Sequence, residues 1–245
     1  MIFIQPSIDP IILSIGFLHI RWYSLAYIIG FIIGSFLIKK FNKELKNLIS
    51  DKQIDNFFIW AVLGVIVGGR IGYVFFYQFN KFVSDPVYLI KIWHGGMSFH
   101  GGLIGIIVAI FFFCKKNHLH FFYLSDLVAL VAPLGLFLGR IANFINTELY
   151  GRITEFPIAM IYPTIDKYPR HPSQIYEAIL EGIILFIILL VIYKRNKLTN
   201  LYGRISGCFL VFYSIIRFFL EFLREPDYQI GLIINFFSMG QILCI

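Results

Sequence analysis

The sequence predicts an all-α protein: a polytopic integral membrane helical bundle with six full spans plus a short seventh apolar segment. Three observations predict it. Of the 245 residues, 58% are hydrophobic and 14% are charged, whereas a soluble domain carries about a quarter charged residues. The apolar residues gather in runs long enough to cross a bilayer, which takes roughly 20 residues as a helix. The basic residues gather between those runs, mostly on alternate connections. The length leaves room for a single domain, residues 1–245.

Taken in order, the runs predict helices near 20–38, 57–77, 98–114, 123–145, 175–193 and 203–222. A seventh apolar stretch starts near Ile233 and stops at Ile245, too short to span as a helix. Either a last helix is cut short there or this end lies in the interface. No Lys or Arg precedes Arg21 and no small-residue cleavage site follows, so a cleavable signal peptide is not expected. The connection after the first run holds Lys39, Lys40, Lys43, Lys46 and Lys52. Lys115 and Lys116 follow the third run, and Lys194, Arg195, Lys197 and Arg204 follow the fifth. The longer connections of the other side share Arg21, Lys81, Lys91, Arg152, Lys167, Arg170 and Arg224. This bias places the N-terminus outside. The net charge of +7 then reports topology and not a nucleic-acid partner. Cys114, Cys208 and Cys244 show no metal or redox spacing and read as apolar fillers.

Charged groups inside a bilayer cost roughly 2.5–3.5 kcal/mol each on insertion scales. This chain nevertheless keeps Arg70, Arg140 and Arg217 within or at the ends of spans, with Glu221 one turn beyond Arg217. With the N-terminus outside, all four fall in the outward halves of their helices. Tyr23 and His100 start the first and third helices at the same depth. Tyr213, Arg217, Glu221 and Arg224 are spaced by four, four and three, so they share a helix face. Arg140, Asn143 and Thr147 share another. Two arginine-bearing faces suit an anion such as phosphate, because a guanidinium offers a planar fork of donors and keeps its charge. A purely structural reading stays open for each residue alone. Arg217 and Glu221 could neutralise each other, and Arg70 could cap backbone carbonyls between helices. The glycines of GGRIG (68–72) and HGGLIG (100–105) have a structural reading too, since small residues let membrane helices approach closely. His94 and His100 lie six residues apart and lack the i, i+4 spacing of helical metal ligands, so no metal is expected.

The motif GRIANFINTELYG (139–151) resembles that of the prolipoprotein diacylglyceryl transferase family. RWYSLAY (21–27), GGRIGYVFFY (68–77), GGMSFHGGLIG (95–105), RHPSQIYE (170–177) and YSIIRFFLEFLREPD (213–227) are similar to the same family, in order along nearly the whole chain. The resemblance implies an enzyme of the bacterial inner membrane with no cofactor. It would transfer a diacylglyceryl group from phosphatidylglycerol to the lipobox cysteine thiol of a prolipoprotein signal peptide, and glycerol phosphate would leave. Tyr23, His100, Arg140, Asn143, Glu148, Tyr213 and Arg217 fall on motif positions that the family associates with activity, and Glu221 and Arg224 extend the last face. His100, Arg140, Arg217 and Tyr213 are the expected catalytic residues. Tyr23, Arg70, Asn143, Glu148, Glu221 and Arg224 are the expected substrate-binding ones. His100 is the candidate base, because the thiolate is the nucleophile. Residues 146–174, rich in Pro and Tyr, are expected to form an outer cover.

Two other functions compete. A transporter or channel for an anionic solute would need a polar path through the inner halves of the spans, where only Asp126 is found. The sequence also lacks the internal repeat of an alternating-access fold. A structural membrane subunit would leave the one-sided set of polar residues unexplained.

Overall fold

A computed structural model describes residues 3–15, 18–195, 202–226, 232–233, 237–242 and 244. Helices dominate it. The first is α1 (Trp22–Glu44), followed by α2 (Asp51–Tyr77) and the short α3 (Phe79–Ser84). Two 3-10 turns (Pro86–Ile90 and Ile92–His94) lead to α4 (Phe99–Asn117) and α5 (Phe121–Ile145). The next run begins as α6 (Ser173–Glu177), widens into a π-helical stretch (Ala178–Ile184) and ends as α7 (Leu185–Arg195). Then come α8 (Arg204–Leu220) and the single turn α9 (Met239–Ile242). Five helices are long and apolar enough to cross a membrane: α1, α2, α4, α5 and the run Ser173–Arg195. The chain is therefore an integral membrane protein. The sixth expected span, α8, has 17 residues.

The expected helices all form, with ends shifted by a few residues. One of the two largest shifts, six residues each at the end of α1 and the start of α2, has a local cause. α2 begins at Asp51, six residues before its apolar run, because Ser50 and Gln53 form a reciprocal capping box that supports a polar first turn. The seventh expected stretch is described in part, at residues 233, 237–242 and 244. Its described part opens as a strand pair, β6 (Leu232–Ile233) with β7 (Phe237–Ser238), before α9. The sequence reading also held no strands at the start of the chain. There β2 (Ile11–Ile15) pairs antiparallel with β3 (Leu18–Arg21). β1 (Phe3–Ile4) lies parallel to β4 (Met160–Ile161), which pairs with β5 (Pro169–Arg170).

The chain divides into two compact units. In residues 35–128, α2 and α4 form the largest helix pairing. Gly64, Gly68 and Gly72 line α2 against Gly101 and Gly105 of α4, and a Cβ on Gly64 would come 2.6 Å from the Gly105 carbonyl oxygen. A Cβ on Gly72 would come 2.8 Å from the Gly101 Cα. Close helix approach is therefore what these glycines provide. In residues 1–34 with 129–245, α6, the π stretch and α7 pack on α8. Gly182 lets the π stretch approach α5, where an added Cβ would lie 2.6 Å from Phe137 Cβ.

Candidate active site

α5, the π-bearing run and α8 each contribute charged side chains to one buried cluster in the unit 1–34 with 129–245. Arg140 on α5 donates from Nε and Nη2 to Glu181 Oε2, at 3.2 and 3.0 Å, and its Nη1 lies 2.9 Å from Glu177 Oε2. Arg217 on α8 donates from Nη1 to Glu177 Oε1 at 2.6 Å and to Glu181 Oε1 at 3.5 Å. Its Nη2 pairs with Glu221 Oε2 at 2.6 Å. Arg224 Nη1 lies 3.9 Å from Glu177 Oε1. Glu177 and Glu181 are 0% exposed, so these arginines answer their carboxylates among the described residues in place of bulk water. A buried carboxylate is stable only when it is paired, and removing one partner of such a pair typically costs about 3–5 kcal/mol.

The two arginine-bearing faces meet with carboxylates between them: the cluster holds Arg140, Arg217 and Arg224 against Glu177, Glu181 and Glu221, three charges of each sign. The pairing of Arg217 with Glu221 is there, but each of these two also has, or is near, other partners. Glu177 and Glu181 were missed by the sequence reading. The signal existed: both are ionisable residues inside an apolar run, the same anomaly that singled out the arginines. Glu181 also sits in the π stretch, a widened backbone that is frequent at functional sites.

The end of α5 is held as tightly. Asn143 Nδ2 donates to Glu148 Oε2 at 3.0 Å, and Asn146 Nδ2 to Glu148 Oε1 at 3.4 Å. The turn between them takes Thr147 and Leu149 to φ of 57° and 58°, a left-handed conformation that residues with a Cβ adopt only when surroundings enforce it. The enforcing groups are buried polar side chains. Gln174 Nε2 donates to the Glu148 carbonyl and Ser173 Oγ to the Leu149 carbonyl, both at 2.7 Å. Gln5 accepts from Thr147 Oγ1 at 3.1 Å and donates to the Phe144 carbonyl at 2.6 Å. Beyond the turn, Arg170 Nη2 donates to Asp166 Oδ2 at 2.6 Å, which holds the Asp166 carboxyl below its ordinary range. His171, also in this connection, is held below the ordinary imidazole range by burial.

The remaining expected residues have these places. Tyr213 is on α8, its ring stacked 5.7 Å from Phe209. Tyr23 opens α1, its ring 5.2 Å from Tyr27. His100 belongs to the other unit, residues 35–128, and is an exposed residue in the first turn of α4, behind the capping Ser98. Arg70 belongs to that unit as well, and its side chain meets the backbone carbonyls that the structural reading of it would use. It is 3% exposed. Its Nε donates to the Leu89 carbonyl at 3.1 Å, and Nη2 to those of Tyr88 and Lys91 at 2.7 and 2.9 Å. Nη1 donates to the Gly95 carbonyl and, at 3.3 Å, to that of Gly96. A guanidinium has five N–H groups, and here five carbonyls take them. Gly95 and Gly96 can present theirs because both have positive φ, 72° and 82°.

The family model described as prolipoprotein diacylglyceryl transferase matches residues 10–245. The chain is similar to proteins named phosphatidylglycerol–prolipoprotein diacylglyceryl transferase. With that of Rickettsia felis it shares 49% identity over 240 residues, 98% of this chain and 93% of the relative. The figures for Rickettsia typhi are the same. For Rickettsia bellii the identity is 49% over 239 residues, 97% of this chain and 90% of the relative.

Proposed function

The chain belongs to the prolipoprotein diacylglyceryl transferase family, and from that premise we propose that it transfers the diacylglyceryl group of phosphatidylglycerol to the lipobox cysteine thiol of a prolipoprotein signal peptide. The thiolate attacks the glyceryl carbon that bears the phosphate ester. A C–S bond forms, the C–O bond breaks, and the electron pair leaves with the oxygen. The phosphodiester, which carries one negative charge, departs as glycerol phosphate with one charge more.

The observation that carries this reading is the arginine–glutamate cluster. Arg140 and Arg217 each donate two hydrogen bonds to carboxylates, and the third contact of each, with Glu177 Oε2 and Glu221 Oε2, is an ion pair without hydrogen-bond geometry, so neither guanidinium gives all five of its N–H groups to the carboxylates. Cations already fixed before the reaction stabilise charge that develops on a leaving group, and a site shut off from water strengthens them. Tyr213, on the same face, is placed to hydrogen-bond the head group, with Tyr23, Asn143, Glu148, Glu221 and Arg224 as its further binding residues. Arg70 serves by holding the turn at residues 88–96. His100 takes the thiol proton. The finer topology belongs to the same proposal: a bacterial inner-membrane protein with the N-terminus outside, the site near the outer face, α8 as a sixth span and a short seventh segment. Residues 146–174 form the cover.

The test is transfer of diacylglycerol from phosphatidylglycerol to a lipobox peptide, read by mass spectrometry, for the wild type and His100→Gln. The wild type should form the thioether. The Gln variant should insert normally and transfer about 10²–10⁴-fold more slowly, the usual worth of a general base. Raising the pH should recover part of that loss, since it makes thiolate without help. A Gln variant that works at nearly the normal rate at neutral pH removes His100 from this role. No thioether from the wild type removes the reading itself.

A further inference from the structure

The start of α2 and the end of α4 line a small, half-open cavity in the unit 35–128. Its volume is about 200 Å³, and it is lined by Asn56, Ile59 and Trp60 of α2 and by Phe113, Lys116 and Asn117 of α4. One half of this lining is apolar and the other offers an ammonium and two carboxamides. Lys116 Nζ sits over the Trp60 ring, 5.6 Å from its centroid, and Phe113 meets the same ring at 6.2 Å. Asn117 is pinned by a bond of 2.9 Å from Nδ2 to the Phe113 carbonyl, which leaves its amide oxygen to accept from elsewhere.

The charges around the cavity are unevenly answered. Lys39 pairs with Asp55 at 2.5 Å and Lys43 with Asp51 at 2.8 Å. Both acids of the first turns of α2 are thereby used. Lys115 and Lys116 have no carboxylate partner among the described residues. A lysine in the last turn of a helix has a plain reason to be there, the negative end of the helix dipole. That reason does not account for a cavity beside it, walled by an indole and flanked by two carboxamides.

We propose that this cavity seats the head group of an anionic phospholipid with a hydroxylated head, of the phosphatidylglycerol class, as a binding site separate from the arginine–glutamate cluster. The Lys116 ammonium meets the phosphate, and Asn56 and Asn117 meet the hydroxyls. The volume is below the roughly 300–1,000 Å³ of pockets that enclose a whole small molecule, which fits a head group whose chains lie outside. Ile59, 61% exposed on the same lining, offers those chains an apolar surface. Basic pockets between membrane helices are a recurrent form of anionic-lipid site. The proposal rests on α2 and α4 crossing the membrane and not on the transferase reaction.

Trp60 makes the seat readable. Replacing Trp22 and Trp93 by Phe leaves it the single tryptophan of the chain. The full-length protein is reconstituted in vesicles, and Trp60 emission is quenched by phosphatidylglycerol or phosphatidylcholine with brominated chains. Phosphatidylglycerol should be preferred about three- to tenfold, the scale of one ammonium at an anionic lipid surface. Lys116→Gln should abolish the preference and Lys116→Arg should keep it. Millimolar inorganic phosphate at constant ionic strength should leave it unchanged. Equal quenching by the two lipids would overturn the proposal, and so would a preference that survives in the Gln variant. A preference erased by inorganic phosphate would mean that the cavity takes a phosphate from solution, and the lipid assignment would fall.

Discussion

Arg70 and the pair Arg140–Arg217 are the same residue type in the same kind of apolar helix, yet they meet opposite partners. Arg70 gives all five N–H groups to carbonyls of residues 88–96. Arg140 and Arg217 give two each to the carboxylates of Glu177 and Glu181 and make one further ion pair each, with Glu177 and Glu221. The difference lies in what can be exchanged. An anion could reach Arg70, which is 3% exposed, only by displacing carbonyls of residues 88–96 from it. A carboxylate shares an arginine with a second anion, because the fork has N–H groups to spare and the charge is not consumed. Donor inventory, and not burial or charge, separates an arginine that builds the fold from one that can act on a phosphate.

The comparison is sharpest at Arg140. Arg140→Lys keeps the charge but loses the fork that reaches Glu177 and Glu181 together. Turnover should fall by about 10²–10³-fold, the loss that follows removal of one preorganised donor, while circular dichroism shows an inserted, helical protein. Near-normal transfer by the lysine variant would mean that bulk charge suffices and that fork geometry is irrelevant.

Glu181→Gln probes the other side of the same pairs. It leaves the cluster with one excess positive charge and turns one of the two oxygens that face Arg140 and Arg217 into an amide nitrogen. The thermal midpoint should drop, by up to about 3 kcal/mol of stability since the amide oxygen still accepts. The KM for phosphatidylglycerol should fall as well, because the lipid phosphate no longer competes with a carboxylate for the arginines. A lower midpoint with an unchanged KM would show that Glu181 and the lipid do not share donors.

Arg70→Lys should behave differently from both. Lysine has three donors where five carbonyls wait, so stability should drop and proteases should cut more readily within residues 85–97. The KM and the turnover per folded molecule should stay within about twofold, as expected of a residue that touches no substrate. A raised KM in a fully folded Arg70→Lys protein would put Arg70 on the lipid and erase the distinction.

Much of this was legible in the sequence, and what was missed has physical causes. The helices were legible because apolar runs of membrane length have few alternatives. The capping box at Ser50 was passed over because its first turn is polar, and hydropathy reads only the apolar part of a helix. Strands as short as Phe3–Ile4 and Met160–Ile161 carry no periodicity to detect. The arginines of the cluster were legible as charges in oil. Their counter-ions Glu177 and Glu181 were not noticed, though the same rule applied, because the run from 175 to 193 is apolar enough on average to absorb them. That Arg70 caps carbonyls was one of two readings open in the sequence, but which carbonyls it caps was beyond reach. Its partners are carbonyls, which every residue has, and only coordinates tell which ones converge.

Arg170 is the intermediate case, and it gives the smallest expected effect. Its Nη1 reaches a carbonyl, that of Gly151 at 3.2 Å, and a carboxylate, Glu225 Oε2 at 3.1 Å. Its Nε and Nη2 go to Asp166, at 3.1 and 2.6 Å to Oδ2. The bond to Arg170 is the largest cause that holds the Asp166 carboxyl low, with smaller help from the Tyr168 amide. A carboxyl whose pKa is lowered by folding stabilises the fold at pH above its unfolded value, about 3.9. That stabilisation is lost as the pH falls through the lower folded value. Asp166→Asn should therefore melt slightly earlier than the wild type at neutral pH, on the scale of up to about 1 kcal/mol for a pair this near the surface. The gap should persist down to about pH 4 and close below it. Turnover at neutral pH should not change. A gap that stays constant into acid would mean that Asp166 holds Arg170 by shape and not by charge, which would move Arg170 to the side of Arg70.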